Sequence, residues 1–288
     1  TGVAFAIISS ATFGLIPLFS IPLLGRGLGS PTILSYRFML AAMMMALIML
    51  LRRRKFKLEF NKLGIVVILS VLYASTAILL IESYDYIPSG IATTIHFLYP
   101  LAVTLTMSWL FGERTSAATY IAVVVSLVGV GLLAWGNHTE GDFHRGVMLA
   151  LLTVVTYAAY IIGVMRSRAS TIDSLVLTFY VLVIGALLFF LYALATTGIE
   201  AVHHWSDWRD LIMLALVCTV LSDYTLVLAI KRIGSTMTSI LGSMEPLTAV
   251  IVGVVYFGER FDSSSVAGLI LIIAAVVLVI ARADRSRV

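Results

Sequence analysis

The sequence predicts an all-α integral membrane protein whose ten transmembrane helices form two inverted five-helix repeats. Three observations support this fold class: an apolar composition, ten apolar runs of spanning length, and a segment that recurs after an odd number of runs. The 288 residues are 60% hydrophobic and only 12% charged, with a mean hydropathy of +1.06. Soluble domains carry about 25% charged residues, so this chain lacks the polar surface that water requires.

Each apolar run has about the 20 residues that a helix needs to cross a bilayer. Turn or charged residues separate the runs, as in segments 25–30, 52–62, 85–90 and 112–116. The alternating pattern of a β-barrel is absent. The ten predicted spans cover residues 3–24, 31–51, 63–82, 89–111, 116–135, 145–165, 173–196, 209–230, 235–257 and 263–281.

Positive charge indicates the orientation of these spans. Fourteen of the nineteen Lys and Arg residues fall in one set of alternate loops and four in the other, and Arg37 lies within the second span. Because cytoplasmic loops carry the excess of Lys and Arg, the count places both termini in the cytoplasm. The cations form no continuous basic face, so a nucleic-acid partner is not expected.

A repeated segment divides the chain into halves. Residues 98–114 read LYPLAVTLTMSWLFGER and residues 244–260 read MEPLTAVIVGVVYFGER, at an offset of 146. Over 87–114 and 233–260, eight of 28 positions are identical, which indicates duplication. The offset covers five spans, an odd number, so the halves have opposite orientations. The predicted units are a first repeat, 1–136, a second, inverted repeat, 144–282, and a cytoplasmic tail, 283–288.

Each half has a proline near the middle of one span. Pro100 and Pro246 occupy equivalent positions of the repeat. Because proline donates no backbone hydrogen bond, we expect kinks there and free carbonyl oxygens at His96 and Gly242. Paired kinks in inverted halves are typical of secondary transporters, in which related bundles rock about a site near the midplane. An ordinary packing kink is the alternative.

Two five-span halves, each with a mid-span proline followed by Phe-Gly-Glu-Arg, resemble the EamA family of the drug/metabolite transporter superfamily. The resemblance covers essentially the whole chain. It is carried by Pro100, Leu101, Gly112 and Glu113 in the first half and Pro246, Leu247, Gly258 and Glu259 in the second.

Further positions match this family less closely. Phe13 and Gly14 loosely match the aromatic–small pair that opens each half, and Tyr157 with Ala158 match it weakly, since family members often have tryptophan there. The Tyr-Arg-Phe of residues 36–38 and the Glu-Pro of residues 245–246 resemble the YddG-type amino-acid exporters.

Ionisable groups inside spans are expensive and mark candidate sites. His96 and Tyr99 share a helical face beside Pro100, and Glu245 is the acid nearest the centre of a span. We expect these three to line a central cavity, with Tyr99 and Glu245 approaching each other. Two of them have a structural alternative: His96 as a packed histidine, and Glu245 as a neutral, hydrogen-bonded carboxyl group.

Four further residues complete the predicted site. Arg37 is placed to hold a substrate carboxylate; alternatively it snorkels outward or pairs with an acid such as Glu82 or Asp85. Tyr157 and Tyr160 lie inside span six and suit an apolar or aromatic substrate. Asp223, in span eight, is assigned to gating, helix tethering or substrate contact. At the membrane edges, Glu113 and Glu259 are expected to be caps and charge partners.

The resemblance implies a secondary transporter of the inner membrane that exports amino acids, aromatic or other apolar ones in particular, or similar amphipathic metabolites. Export of drugs or other small metabolites is the alternative. A channel would need rings of charge, and an intramembrane enzyme would need clustered catalytic groups. Neither pattern is found, so no enzyme activity, cofactor or metal is expected. The expected partners are a small-molecule substrate and the bilayer, with the chain functional as a monomer.

Overall fold

The computed structural model describes residues 2–112, 142–259 and 262–283, with isolated positions between 117 and 132. Throughout these residues the regular secondary structure is helical, without strands. The helices are α1 Gly2–Phe13, α2 Ile16–Gly25, α3 Ser30–Leu51, α4 Phe60–Ser83, α5 Ser89–His96, α6 Tyr99–Phe111, α7 Phe143–Arg166, α8 Ser174–Ala195, α9 Trp205–Ala215, α10 Ser222–Ile240, α11 Met244–Phe257 and α12 Ser263–Ala283. Short turns supplement them: 3₁₀ turns at Arg168–Thr171 and Leu241–Ser243 and a π-helical turn at Leu216–Leu221.

Seven helical segments are long and apolar enough to cross a membrane, which makes the chain an all-helical membrane protein. They are Gly2–Gly25, Ser30–Leu51, Phe60–Ser83, Ser89–Phe111, Phe143–Arg166, Ser174–Ala195 and Trp205–Ser235. Shorter apolar helices, Met244–Phe257 and Val266–Ala275, lie where spans nine and ten are predicted. The predicted fifth span, 116–135, and most of the tail, 283–288, fall outside the described residues.

One face of α3 shows how the bundle meets lipid. Met43, Leu47 and Leu50 leave 56–62% of their surface exposed, while Phe38 on the opposite face is fully buried. Hydrocarbon solvates such an apolar face without penalty, whereas water would not.

The two prolines do more than kink their spans. α5 ends at His96 and α6 begins at Tyr99, so span four is two separate helices with Pro100 in the first turn of the second. Proline is tolerated in a first turn because the N–H groups there have no intrahelical acceptor. Span nine is interrupted in the same register, since the turn Leu241–Ser243 precedes α11 and Pro246 lies in its first turn.

The boundary between spans eight and nine also differs from the prediction. A separator was expected at 231–234, yet helix α10 continues to Ile240 and is interrupted only at Gly234. Gly234 has φ of +84°, a conformation that glycine adopts without steric strain. The change of direction therefore needs one residue and no loop.

Long contacts between the halves hold the bundle together. α3 packs along α8, α4 along α7, α1 along α10, and α5 against α11. The broken spans, α5–α6 and α11, are thereby brought to the middle of the protein.

Glu259 ties the end of α11 to the start of α5. Its carboxylate accepts hydrogen bonds from the backbone N–H and hydroxyl of Ser89, at 2.9 and 2.6 Å, and from the N–H of Gly90 at 3.3 Å. An acid at this position satisfies free N–H groups and the positive end of the helix dipole. Glu259 is a helix cap, as the sequence indicated, whereas Glu113 lies outside the described residues.

Replacing Glu259 by Ala should therefore lower the free energy of unfolding by about 1–2 kcal/mol. Thermal unfolding in detergent measures the change. Glu59→Ala is the control, because Glu59 is exposed and forms a surface ion pair with Lys62, at 2.9 Å. A surface pair of this kind contributes at most about 1 kcal/mol. Equal destabilisation by the two variants would contradict the capping role.

Candidate functional site

His96, the last residue of α5, is fully buried at the centre of the predicted site. Its Nδ1 atom lies 2.7 Å from the hydroxyl oxygen of Thr153 in α7. That hydroxyl donates its own proton to the carbonyl oxygen of Ala150, at 2.5 Å. With its proton on Ala150, Thr153 accepts a hydrogen bond from Nδ1; in either tautomer this contact fixes the orientation of the imidazole ring.

Glu245, in the first turn of α11, faces the other nitrogen of this ring. Its Oε1 atom lies 3.4 Å from Nε2 of His96, and the two side chains are only 1% and 0% exposed. Among the residues that the structure describes, neither of these two atoms has a hydrogen-bond partner. Buried polar atoms are rarely left unsatisfied, so the junction of the two broken spans has the character of a binding site.

Aromatic rings surround the pair. The ring of His96 lies 5.9 Å from Phe13, 5.3 Å from Tyr99 and 5.0 Å from Tyr157, between centroids. Tyr99 and Tyr157 meet edge to face at 4.7 Å. The expected open cavity is thus filled by packed rings here, because their flat faces and edges interlock.

Two glycines allow the elements to approach this closely. A Cβ atom on Gly14, between α1 and α2, would lie 2.5 Å from the carbonyl oxygen of Glu245. A Cβ atom on Gly242 would collide with the hydroxyl group of Tyr99. Gly242 is the repeat equivalent of His96. Because Gly242 has no side chain, the hydroxyl group of Tyr99, which belongs to the other half, can occupy the space beside it.

Replacing Gly14 by Ala should therefore force α1 and α2 away from α11. We expect a loss of about 1–3 kcal/mol of stability from overpacking, together with reduced transport. Gly64→Ala is the matched control, because a Cβ atom on Gly64, within α4, would meet no neighbouring side chain or helix within 4 Å. That control should stabilise the protein by about 0.5–1 kcal/mol, since alanine is the better helix former. Thermal unfolding shows whether each variant is less or more stable than the unmodified protein.

Arg37 forms the core of a second polar centre. It is 1% exposed, and its Nε atom donates to the hydroxyl of Thr219 at 2.6 Å. Its Nη2 atom donates to the carbonyl oxygen of Cys218 at 3.4 Å. Both partners lie in the π-helical turn Leu216–Leu221, a feature often found at functional sites. The guanidinium group therefore neither snorkels outward nor, within the described part of the chain, pairs with Glu82 or Asp85.

Asp223 lies beside this centre, in the first turn of α10. Its Oδ1 atom accepts a hydrogen bond from the hydroxyl of Tyr73 at 2.5 Å, while its buried Oδ2 atom has no partner. Its charge interacts with that of Arg37. This hydrogen bond links α4 to α10, and helix tethering is one of the three roles that the sequence suggested for Asp223.

A row of tyrosine rings joins the two centres. Tyr157 and Tyr160 stack with centroids 6.2 Å apart, and Tyr160 lies 5.1 Å from Tyr73. A cavity of about 10 Å³ beside them is lined by Phe13, Ile16, Arg37, Tyr73, Thr76, Ala77, Leu80 and Ile81. Such a space is close to the minimum for one water molecule.

The structure thus groups the predicted residues into two centres joined by Tyr160. The first centre consists of His96, Tyr99, Tyr157 and Glu245, and the second contains Arg37 and Asp223. Tyr99 and Glu245 both contact His96. Sequence reasoning did not assign Phe13, Thr153, Tyr73 or Thr219 to the site. Thr153 and Thr219 are polar residues inside apolar spans, and this is the signal that could have pointed to them.

Charged residues close the bundle near the ends of α2 and α11. Arg26 contacts the carboxylates of Asp207 and Asp210, at 2.5 and 2.6 Å. Arg209 contacts Asp210 at 2.9 Å, and Glu200 accepts a hydrogen bond from the N–H of Gly29 at 2.6 Å. Both aspartates are nearly fully buried, so this network seals one end of the core.

Across the residues that the structure describes, no group of three His, Cys, Asp or Glu side chains is placed to hold a metal ion.

Similarity to known proteins covers nearly the whole chain. The sequence pattern of the EamA-like transporter family matches residues 1–135 and 144–281. The threonine/homoserine exporter RhtA of Escherichia coli K12 is 30% identical over 200 residues, which cover 67% of this chain. The alignment spans 63% of RhtA, less than two thirds of its length.

Two further proteins are similar over a larger share of the chain. The uncharacterized inner membrane transporter YedA of Escherichia coli K12 is 24% identical over 245 residues, covering 84% of this chain and 79% of YedA. A crystal structure of a protein aligns with a TM-score of 0.73 over 99% of this chain and 98% of its own, at 16% identity. That likeness demonstrates a shared fold only.

Proposed function

The chain belongs to the EamA-like transporter family, and we propose that it is a secondary transporter that exports amino acids through the centre of its helical bundle. The observation that carries this proposal is a buried carboxyl group and a buried guanidinium group joined by a row of aromatic rings. Glu245 lies at one end of the tyrosine row and Arg37 at the other. A zwitterion has the complementary pair of charges.

Each part of an amino acid has a matching group in this arrangement. Glu245, beside His96, would receive the ammonium group. Arg37 would hold the carboxylate, because within the described residues two of its five N–H donors bind Thr219 and Cys218, which leaves three for a ligand. The rings of Tyr99, Tyr157 and Tyr160 would contact the side chain, which favours aromatic or other apolar amino acids.

The name of RhtA supports amino acids as the substrate class, with threonine and homoserine as its own substrates. The tyrosine row of this chain favours larger apolar side chains, as in the YddG-type exporters. The substrate panel must therefore include both kinds.

We propose inverted halves, 1–136 and 144–282, as the basis of alternating access, followed by a tail at 283–288. The helix contacts support this: exchanging the halves converts the α1–α10 pair into the α4–α7 pair, converts the α5–α11 pair into the α10–α6 pair, and leaves α3–α8 unchanged. The breaks before Tyr99 and Glu245 occupy equivalent positions. Ten spans and two cytoplasmic termini follow from this arrangement, in the inner membrane as YedA's name states for that relative.

Labelling from one side tests the inverted arrangement. Cysteine introduced beside Arg114 or Arg260 should react with an impermeant reagent from opposite sides of the membrane. The native Cys218 is fully buried and provides little background. Reaction of both sites from the same side would reject inverted halves.

Substrate flux tests the transport function. Purified protein in proteoliposomes should exchange radiolabelled L-threonine, L-homoserine or L-phenylalanine saturably with unlabelled amino acid. Saturation and exchange distinguish a transporter from a channel. Empty vesicles provide the control. Absence of exchange for every amino acid in a full panel would reject amino-acid export and favour another small metabolite.

A further inference from the structure

We propose that His96 and Glu245 form a proton-binding pair, and that a proton and the ammonium group of the substrate occupy Glu245 in turn. The second part rests on the proposed function. The pair would make export of one amino acid depend on the movement of one proton in the opposite direction.

The hydrogen bonds of His96 determine where its proton lies. The hydroxyl of Thr153 has a single proton, and in the arrangement in which it is donated to Ala150, Nδ1 of His96 donates to Thr153. A neutral imidazole has only one N–H group. In the neutral ring, Nε2 therefore presents a lone pair to Glu245.

This lone pair faces Oε1 of Glu245 at 3.4 Å, and neither atom has another hydrogen-bond partner in the described part of the chain. An ionised carboxylate and a bare nitrogen would repel each other, since both accept hydrogen bonds and neither donates one. One added proton converts the contact into a hydrogen bond. With that proton on Oε1, the carboxyl group of Glu245 donates to Nε2 and the pair as a whole carries no net charge.

Few other groups near Glu245 could neutralise the negative charge of its carboxylate. The titratable groups that act on Glu245 from the neighbouring elements are phenols, which are uncharged at neutral pH: Tyr84, Tyr99 and Tyr157. Within the described residues, His96 is the basic side chain that contacts Glu245. A buried carboxylate without a positive partner is strongly unfavourable. Glu245 is thus expected to hold either a proton or a cationic ligand.

Exchange of the two ligands is balanced in charge. The protonated carboxyl group of Glu245 releases one proton to water as the ammonium group arrives, and the carboxylate then pairs with that ammonium. Release of the substrate on the other side is completed when a proton from that side binds the pair. Neither half-cycle leaves an unpaired charge in the core.

Infrared difference spectroscopy of the purified protein tests the proton site without any substrate. The carbonyl stretch of a protonated carboxyl group should appear as the pH falls, should be absent in Glu245→Gln, and should persist in Glu82→Gln. His96→Asn retains a donor for Thr153 but lacks Nε2. That variant should keep the band and move it to the higher frequency of a free carboxyl group.

Adding L-threonine or L-phenylalanine, whichever the vesicles exchange, should reduce the band and release close to one proton per bound molecule. A band that survives in Glu245→Gln overturns the proton site. A transported amino acid that leaves the band unchanged overturns the exchange of ligands. A band specific to Glu245 together with no amino-acid flux supports the proton site and rejects the proposed function instead.

Discussion

Glu245→Gln is expected to lower amino-acid flux by about tenfold to hundredfold. A hydrogen bond to a charged group contributes about 1.5–3 kcal/mol, and each 1.4 kcal/mol corresponds to about a factor of ten in affinity. Glutamine keeps the size of the side chain but cannot neutralise a buried ammonium group. Initial rates of exchange in proteoliposomes, compared at equal protein content, measure the loss.

Glu82→Gln provides the matched control for this change. Glu82 lies at the end of α4, is partly exposed, and takes no part in the contacts of His96. The amino-acid flux of this variant should remain within about twofold of that of the unmodified protein, since exposed charges contribute little to binding or stability. If both variants transport equally well, Glu245 does not bind the substrate.

Arg37→Lys is expected to have the second large effect. Lysine keeps the positive charge beside Asp223 but loses the planar fork that binds a carboxylate through two hydrogen bonds. We expect the apparent affinity for amino acids to fall by about tenfold to hundredfold, an energy of about 1.5–3 kcal/mol. Inhibition of exchange by unlabelled amino acid measures this affinity.

An analogue without a carboxylate separates binding from general damage. The amide of the same amino acid should inhibit the Arg37→Lys variant about as well as the unmodified protein. The amide has no carboxylate, so it does not form the two hydrogen bonds to the guanidinium group that the variant loses. Arg145→Lys, at an exposed position whose guanidinium lies over Tyr86, should leave both inhibitors unchanged. Equal loss of affinity for acid and amide would show that Arg37 maintains structure only.

Local sequence features were sufficient for much of the architecture. The apolar runs predicted the spans that the structure describes, because spanning length depends on hydropathy and helix rise alone. Pro100 and Pro246 marked the places where spans four and nine are interrupted, since proline removes a backbone donor wherever it occurs. The position of Glu259 beside a turn indicated a cap. The sequence also singled out His96 and Glu245 as costly buried groups.

Only the tertiary structure decided which partners these groups have. Thr153 fixes the ring of His96 from 57 residues away, Tyr73 holds Asp223 across 150 residues, and Arg37 reaches Thr219 across 182. A polar residue in an apolar span shows that a partner is needed but not which one, because packing between helices sets the distance. The close approach of Gly14 to Glu245 is likewise invisible in the sequence, since it depends on two helices that meet only in the folded bundle.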